Sequence, residues 1–241
     1  MAALIQVTPI WKPQLEPSEK MNLRSSLTSA SGRQLEFLAP QTLDVGVYRT
    51  QFPHVAIRRV DDRHLRSVQT YNAMMLQPDF YRMYSEFELL AIVQTDAFLV
   101  RTLSLVDFAE VDYLGAPWAR GLKYLTVGSR LIVTTPQEHS RFAVRPLIMR
   151  LVGRTAWVGN GGLSIRRVSS LIQVTEQLQH RIARYLRRGL NEDVVLSTAG
   201  KDAGLRVASR DLASRVFGEH VSIEQAIARG LVGVHAPTIG K

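Results

Sequence analysis

The chain has 241 residues, of which 46% are hydrophobic and none is cysteine. It is long enough for one substantial core, while a disulfide framework, a thiolate metal site and a cysteine nucleophile are all excluded. The formal net charge of +9 is concentrated: residues 121–190 hold 12 Lys/Arg against 2 Asp/Glu, whereas the remainder holds 18 against 19. Such a field favours an anionic partner, whether nucleic acid, an acidic membrane surface or a phosphorylated substrate; a solvated basic face is the alternative.

Met1 to Pro13 lacks the basic start and cleavable apolar core of a signal peptide, and no apolar stretch reaches the ~20 residues that span a bilayer. The expectation is a cytoplasmic protein that the basic segment brings to the inner face of a membrane as a peripheral contact. Leu4 to Val7, Leu35 to Leu38, Val55 to Val60 and Leu89 to Val93 are short branched runs bounded by polar or proline-containing segments, and they read as buried strands. Helical patterns lie between them at Ser18 to Leu27 and at Arg63 to Leu76, where Leu65, Val68, Tyr71 or Asn72, and Met75 recur at spacings of three and four. This alternation predicts an α/β layer architecture with a mainly parallel sheet. Ligands in such sheets bind at the carboxyl ends of the strands, which places Thr8-Pro9 and Asp96 on the candidate edge.

Gly121 to Gly153, with Pro136, Pro146 and weak periodicity, reads as a long excursion over the site. Gly159-Asn160-Gly161-Gly162 reads as a turn after Val158, either a simple hairpin or a close backbone approach to a sugar or phosphate. Ser164 stands where the last glycine of a dinucleotide fingerprint belongs. From Ser169 or Ser170 to Arg188, Leu171, Val174, Leu178, Ile182 and Tyr185 make one apolar stripe, and Gly189 is the stop. Arg181, Arg184, Arg187 and Arg188 suit the negative end of that helix dipole and exceed its need. Short elements resume at Leu205 to Ala208 and Ser222 to Arg229.

Three groups carry candidate chemistry. Asp96, delivered by a buried strand, is either a ligand for Mg²⁺ or Mn²⁺ completed by a diphosphate or a turn aspartate. Asn191-Glu192-Asp193 is either a helix start with Asn191 as cap or the source of a general base, with Asp193 the preferred carboxylate. His235 is a metal or phosphate ligand, or a packed histidine. A zinc-protease helix, a phosphate loop and a nucleophile elbow are absent. Only Phe142 and Trp157 lie near Arg141 to Arg154, too few aromatics to stack bases, which argues against nucleic acid.

Seven segments, taken together, carry a resemblance: Val7 to Pro13, Tyr71 to Leu76, Gln94 to Phe98, Tyr113 to Trp118, Val158 to Ser164, Asn191 to Val194 and Gly233 to Ala236. In this order they resemble a family of poorly characterised proteins similar to GT-A glycosyltransferases. The resemblance implies a Rossmann-like α/β single domain over residues 1–241, with a mainly parallel central sheet flanked by helices. Residues 1–118 would form the nucleotide-binding half and 119–241 the acceptor and catalytic half. It implies transfer of a sugar from a nucleotide-sugar donor to a glycan or lipid-linked acceptor, with inversion. Asp193 and Glu192 would be catalytic, Asp193 as base. Thr8, Pro9, Gln94, Asp96, Asn160, Gly161, Gly162 and Ser164 would bind the donor, and Asp96 and His235 would hold a divalent cation. The chain departs from the Asp-x-Asp metal motif of better-known GT-A enzymes, because Ala97 and Phe98 follow Asp96. A catalytically inactive sugar- or nucleotide-binding module on the same fold is the alternative.

Overall fold

The computed structural model describes residues 2–29, 33–103, 108, 110–128, 130–134 and 152–238. Strands β1 (Ala2–Pro9), β2 (Gln34–Pro40), β3 (Ala56–Val60) and β4 (Phe87–Val93) run parallel in the spatial order β3-β2-β1-β4. Their connections carry α1 (Pro17–Thr28), α2 (Gly46–Gln51), α3 (Val68–Met75) and α4 (Pro78–Arg82). The four apolar runs of the sequence fall within these strands, except that Val55 precedes β3 by one residue. In β4, Leu90 and Ile92 enter one core cluster and Leu89, Ala91 and Val93 another, so both faces are covered and the run reads as continuously apolar.

Local chemistry sets the helix boundaries. Pro17 occupies the first turn of α1, where its missing N–H costs nothing, and Glu16 and Glu19 reciprocally satisfy the free amides there. The single helix expected over Arg63 to Leu76 is divided. Asp61 accepts from the Arg63 amide and starts a 3₁₀ turn at Asp62–Leu65, and Ser67, in extended conformation, caps α3 by accepting from the Thr70 amide. Two competing side-chain caps thus break one apolar periodicity.

The second half of the sheet is antiparallel. β6 (Tyr113–Val127), β7 (Arg130–Thr134) and β8 (Arg154–Arg167) complete a seven-stranded order β3-β2-β1-β4-β8-β6-β7. The expectation of a mainly parallel sheet is therefore corrected to a mixed one. Val127 pairs with Arg130 across a two-residue connection in which Gly128 has φ +55°, and so tight a link admits only antiparallel strands. The expected excursion at Gly121 to Gly153 is corrected with it: 121–127 and 130–134 are strand, while 135–151 lies outside the described residues. The expected junction between residues 118 and 119 falls inside β6.

The glycine turn after Val158 is also corrected, since Gly159 to Gly162 lie within β8, at a register shift where Asn160 stands opposite Ala116 of β6. These glycines serve close packing. A Cβ on Gly115 of β6 would come 2.5 Å from the Asn160 carbonyl oxygen, and one on Gly159 would overlap the Trp118 ring.

β8 passes directly into α5 (Val168–Arg187), whose buried Leu171, Val174, Leu178, Ile182 and Tyr185 are the predicted stripe. After α5 come α6 (Glu192–Val195), a π-helical turn at Leu196–Gly200, and α7 (Arg210–Val216). The element expected at Leu205 to Ala208 is reduced to one bridge, Tyr113 to Val207, and that at Ser222 to Arg229 is α8 (Ile223–Ala228), capped by Ser222. A small sheet joins β5 (Ala97–Leu99), β10 (Gly233–His235) and β9 (Phe217–Glu219), in that order. The protein is thus an α/β structure with a mixed seven-stranded sheet flanked by helices. Among the described residues no helix is long and apolar enough to cross a membrane.

Candidate functional site

Past the ends of β1, β3 and β4 lies a cleft of about 490 Å³. The loop after β1 contributes Trp11, and the segment from β3 into α3 contributes Leu65, Arg66, Ser67, Val68, Tyr71 and Asn72, a wall of mixed apolar and polar character. Gln94 and Asp96 follow β4, and Asn160, Gly161 and Gly162 come from β8. Asn191, Glu192 and Asp193 enter at the start of α6, and His235 enters from β10. Six separate stretches of chain meet in one cleft, four of them carrying the candidate site residues Gln94 and Asp96, Asn160 to Gly162, Glu192 and Asp193, and His235.

The edge is fixed by backbone bonds. The Gln94 amide donates to the Gly162 carbonyl at 2.8 Å, and the Ala97 amide closes the turn on Gln94 at 2.9 Å. The missing side chains of β8 make the room: a Cβ on Gly161 would overlap Glu192 Oε1, and one on Gly162 would lie 2.6 Å from both Gln94 Oε1 and His235 Nε2. Gly162→Ala is expected to cost about 1–3 kcal/mol by overpacking and to displace His235, read as a lower denaturant midpoint with altered imidazole NMR signals. An unshifted His235 spectrum would contradict this.

His235 is held between two carboxylates. Its Nε2 is 3.5 Å from Asp96 Oδ2 and its Nδ1 is 3.2 Å from Glu219 Oε1. The Asn160 amide locks the group: Oδ1 accepts from the Gly162 amide at 2.8 Å, which turns Nδ2 toward Glu219, at 3.0 and 3.1 Å from its two oxygens. Burial alone would lower the pKa of His235, but its hydrogen bonds and ion pairs with Asp96 and Glu219 outweigh that and push it up to about 9. For Asp96, burial opposes ionisation and the His235 interaction wins, so its carboxyl sits below the ordinary value.

A histidine pKa raised on folding means that the native state holds the proton more tightly. The resulting stability is complete below the unfolded value near 6.5 and is lost as pH rises through about 9. The loss is on the order of 3 kcal/mol at 1.36 kcal/mol per pKa unit. Denaturation at pH 6 and pH 10 should show it, and His235→Gln should flatten that interval; an equal slope in the variant would exclude His235 as its source.

The other carboxylates lie on a buried cation that sequence reasoning missed. Arg166, fully buried, donates from Nη2 to Glu192 Oε1 at 2.9 Å and to the Gly161 carbonyl at 3.2 Å. Glu192 is itself buried and carries this ion pair. Asp193 is half-buried, and its Oδ1 accepts from the Val194 amide at 2.7 Å. Burial first, and then the Glu192 charge, hold the Asp193 carboxyl well above the usual carboxylate range, against the Val194 and Gly161 amides and Arg166.

Three expected donor-binding residues lie outside the cleft lining. Thr8 is buried and stands in register with Phe37 of β2; neither it nor Pro9 lines the cleft, where the loop after β1 presents Trp11. Ser164 is completely buried, donating to the Gly161 carbonyl at 3.0 Å and accepting from Arg166 Nε at 3.1 Å, as part of the support beneath the cleft. Asn191 occupies the cap position of α6, but its side chain accepts from Asn72 Nδ2 at 2.9 Å instead of capping, which ties α6 to α3. Period-two alternation from Gly162 through Ser164 places Arg166 on the same face of the strand, the one signal that could have revealed it. Glu219, in a three-residue strand, had no comparable signal.

The donor set of the described residues does not make a resident metal site. Among the described residues no three His, Asp or Glu side chains are grouped to hold an ion. Asp96 and His235 come together as an ion pair, and the raised pKa of His235 favours its proton over a metal at neutral pH.

Fold and cleft define the class: an α/β protein with a mixed sheet and a carboxylate-lined cleft at the carboxyl ends of its parallel strands. The chain belongs to the family described as Protein of unknown function (DUF5672), which matches residues 54–232. That span takes in Asp96, Asn160 to Gly162, Arg166, Glu192, Asp193 and Glu219. No curated protein matches the chain.

Proposed function

We propose that the protein is a glycosyltransferase of GT-A-like architecture, moving a sugar from a nucleotide-sugar donor to an acceptor hydroxyl. The observation that carries this reading is the convergence of the Asp96–His235 pair, the side-chain-free floor of Gly161 and Gly162, and the Asp193 carboxylate in one cleft. The apolar side chains Trp11, Leu65, Val68 and Tyr71 in the cleft lining suit a base or sugar ring, and protonated His235 suits a diphosphate.

In the reaction so read, Asp193 accepts the proton of the acceptor hydroxyl. The freed oxygen bonds to the anomeric carbon as the bond from that carbon to the phosphate oxygen breaks, the electron pair leaves with the diphosphate, and the configuration inverts. His235, as an imidazolium, stabilises the charge developing on the leaving diphosphate. Glu192 is an unsuitable base because Arg166 already engages its carboxylate. The raised proton affinity of Asp193 moves it toward the operating pH, where a general base is most effective.

A thermal-shift panel of nucleotide sugars, with and without Mn²⁺, tests the reading, because a ligand that binds only the native state stabilises it by about 2.7 kcal/mol at a hundred times its Kd. Stabilisation by one nucleotide class, followed by turnover of that labelled donor, is the expected result. No stabilisation by any donor would overturn it. Binding without turnover across candidate acceptors would instead favour an inactive binding module, a reading that draws on the absent second carboxylate at Phe98.

For the acceptor we propose a lipid-linked or glycan substrate at an anionic membrane surface. The Arg188 guanidinium donates to the Leu131 carbonyl at 2.7 Å and joins the basic end of α5 to β7, near exposed Val127 at the end of β6. Cosedimentation with liposomes should rise with anionic lipid content and fall with salt; indifference to both would remove the membrane from the reading.

A further inference from the structure

Arg166 has no exposed surface, and a guanidinium taken out of water is retained only where its donors are used. Nε donates to Ser164 Oγ at 3.1 Å, Nη1 to the Tyr81 hydroxyl at 3.0 Å, and Nη2 to Glu192 Oε1 and the Gly161 carbonyl. The Tyr113 ring lies 5.6 Å from the guanidinium carbon. Arg166 does not line the cleft, but two of its partners, Gly161 and Glu192, do. It grips the cleft from beneath.

We propose that Arg166 is a positioning residue of this site: it fixes the Glu192 carboxylate and the Gly161 carbonyl from below, and so leaves Asp193, of the two neighbouring carboxylates, as the one that exchanges a proton with a bound acceptor. The acceptor in that statement rests on the transferase reading; the division of labour between the two carboxylates does not.

Two adjacent carboxyl groups in a poorly hydrated site do not ionise independently, because each charge opposes the other. The Arg166 fork is committed to Glu192, which accepts a charge-assisted bond at 2.9 Å. The Glu192 charge falls on Asp193, whose carboxyl, among the described residues, forms no ion pair of its own and takes backbone amides from Val194 and Gly161. Tyr113 of β6, the other titratable group near Asp193, is buried and held neutral, its pKa raised by burial. Asp96 and His235 line the same cleft but are engaged with each other, and His235 also with Glu219. The site therefore holds, on consecutive residues, one carboxylate paired with a buried cation and one proton-exchanging acid.

The test follows the Asp193 carboxyl by ¹³C NMR across a pH titration of the whole chain. Glu192→Gln keeps the shape and an acceptor for Arg166 but removes the charge, and the Asp193 midpoint is expected to fall by about one pH unit or more. Should that variant fail to fold, the double variant Arg166→Met/Glu192→Leu removes both charges together, and a smaller fall is expected, because the Glu192 charge raises the Asp193 carboxyl by more than Arg166 lowers it. An unchanged Asp193 midpoint in a folded variant overturns the proposal, since a merely structural pair would leave it in place. Where turnover is found, the acid limb of its pH profile should move in the same direction. A shifted midpoint with no turnover on any donor would leave the proton assignment standing and remove the transferase reading.

Discussion

Asp193→Asn is expected to lower sugar transfer by about 10²- to 10⁴-fold, the usual worth of a positioned general base, while donor binding survives. The amide is nearly isosteric with the carboxyl, and its oxygen still accepts from the Val194 amide as Asp193 Oδ1 does. Asp96, His235 and Glu219 are untouched, so the part of the cleft assigned to the donor phosphates keeps its charges. The same substitution should not weaken the protein. A carboxyl whose pKa is raised on folding makes the native state bind the extra proton, so stability declines as pH rises from about 4 toward the elevated native value. Asparagine removes that decline. The signature is therefore double: turnover collapses while the melting temperature at neutral pH holds or rises, as expected where function and stability conflict. Unchanged turnover would remove Asp193 from the mechanism, and a lowered melting temperature would show that its carboxylate supports the fold.

Arg166→Met should destabilise the protein by about 3–5 kcal/mol, the cost of leaving a buried charge without its partner. Against a total of about 5–15 kcal/mol for a native domain, that is a large fraction. The stranded group is Glu192, buried and still pressed against Gly161. Adding Glu192→Leu should restore most of the loss, because removing a buried ion pair whole is often neutral. Urea titration of the two single variants and the double variant measures the coupling directly. Additive losses would place the cost in packing of the long arginine stem and not in the pair.

Much of this site was legible in the sequence because its chemistry sits at the ends of strongly patterned elements. The β4 run announces where Asp96 emerges, and the α5 stripe with its glycine stop announces where Asn191 to Asp193 begin. What stayed hidden depended on contacts distant in sequence. The sheet changes sense at β8 because that strand pairs with both β4 and β6, and nothing local to Arg154 to Arg167 names its neighbours. Glycine has two structural uses, freedom of backbone angle and absence of a side chain, and the letters Gly-Asn-Gly-Gly are the same for both. A turn was the local reading; Glu192, Gln94 and His235 supply the tertiary reason for the other use. Arg166 was passed over as part of a basic segment because charge counting treats every arginine as solvated, whereas strand alternation puts this one inside. Thr8 failed in the opposite way: the end of a strand was correctly located, but burial took the hydroxyl out of reach.

The placement of β8 between β4 and β6 also constrains how the molecule assembles. The parallel strands and the β6–β7 hairpin meet within the sheet only through this one strand, which is made after both. Its seating creates long-range pairings on two edges at once, the kind of event that slows folding. Because β8 also bears Asn160, Gly161, Gly162 and Arg166, a chain that has not yet zipped it into place presents neither the floor of the cleft nor the cation beneath it. Nascent or partly opened molecules would thus be blind to ligand, and the slowest-exchanging amides and the capacity to bind should appear together during refolding.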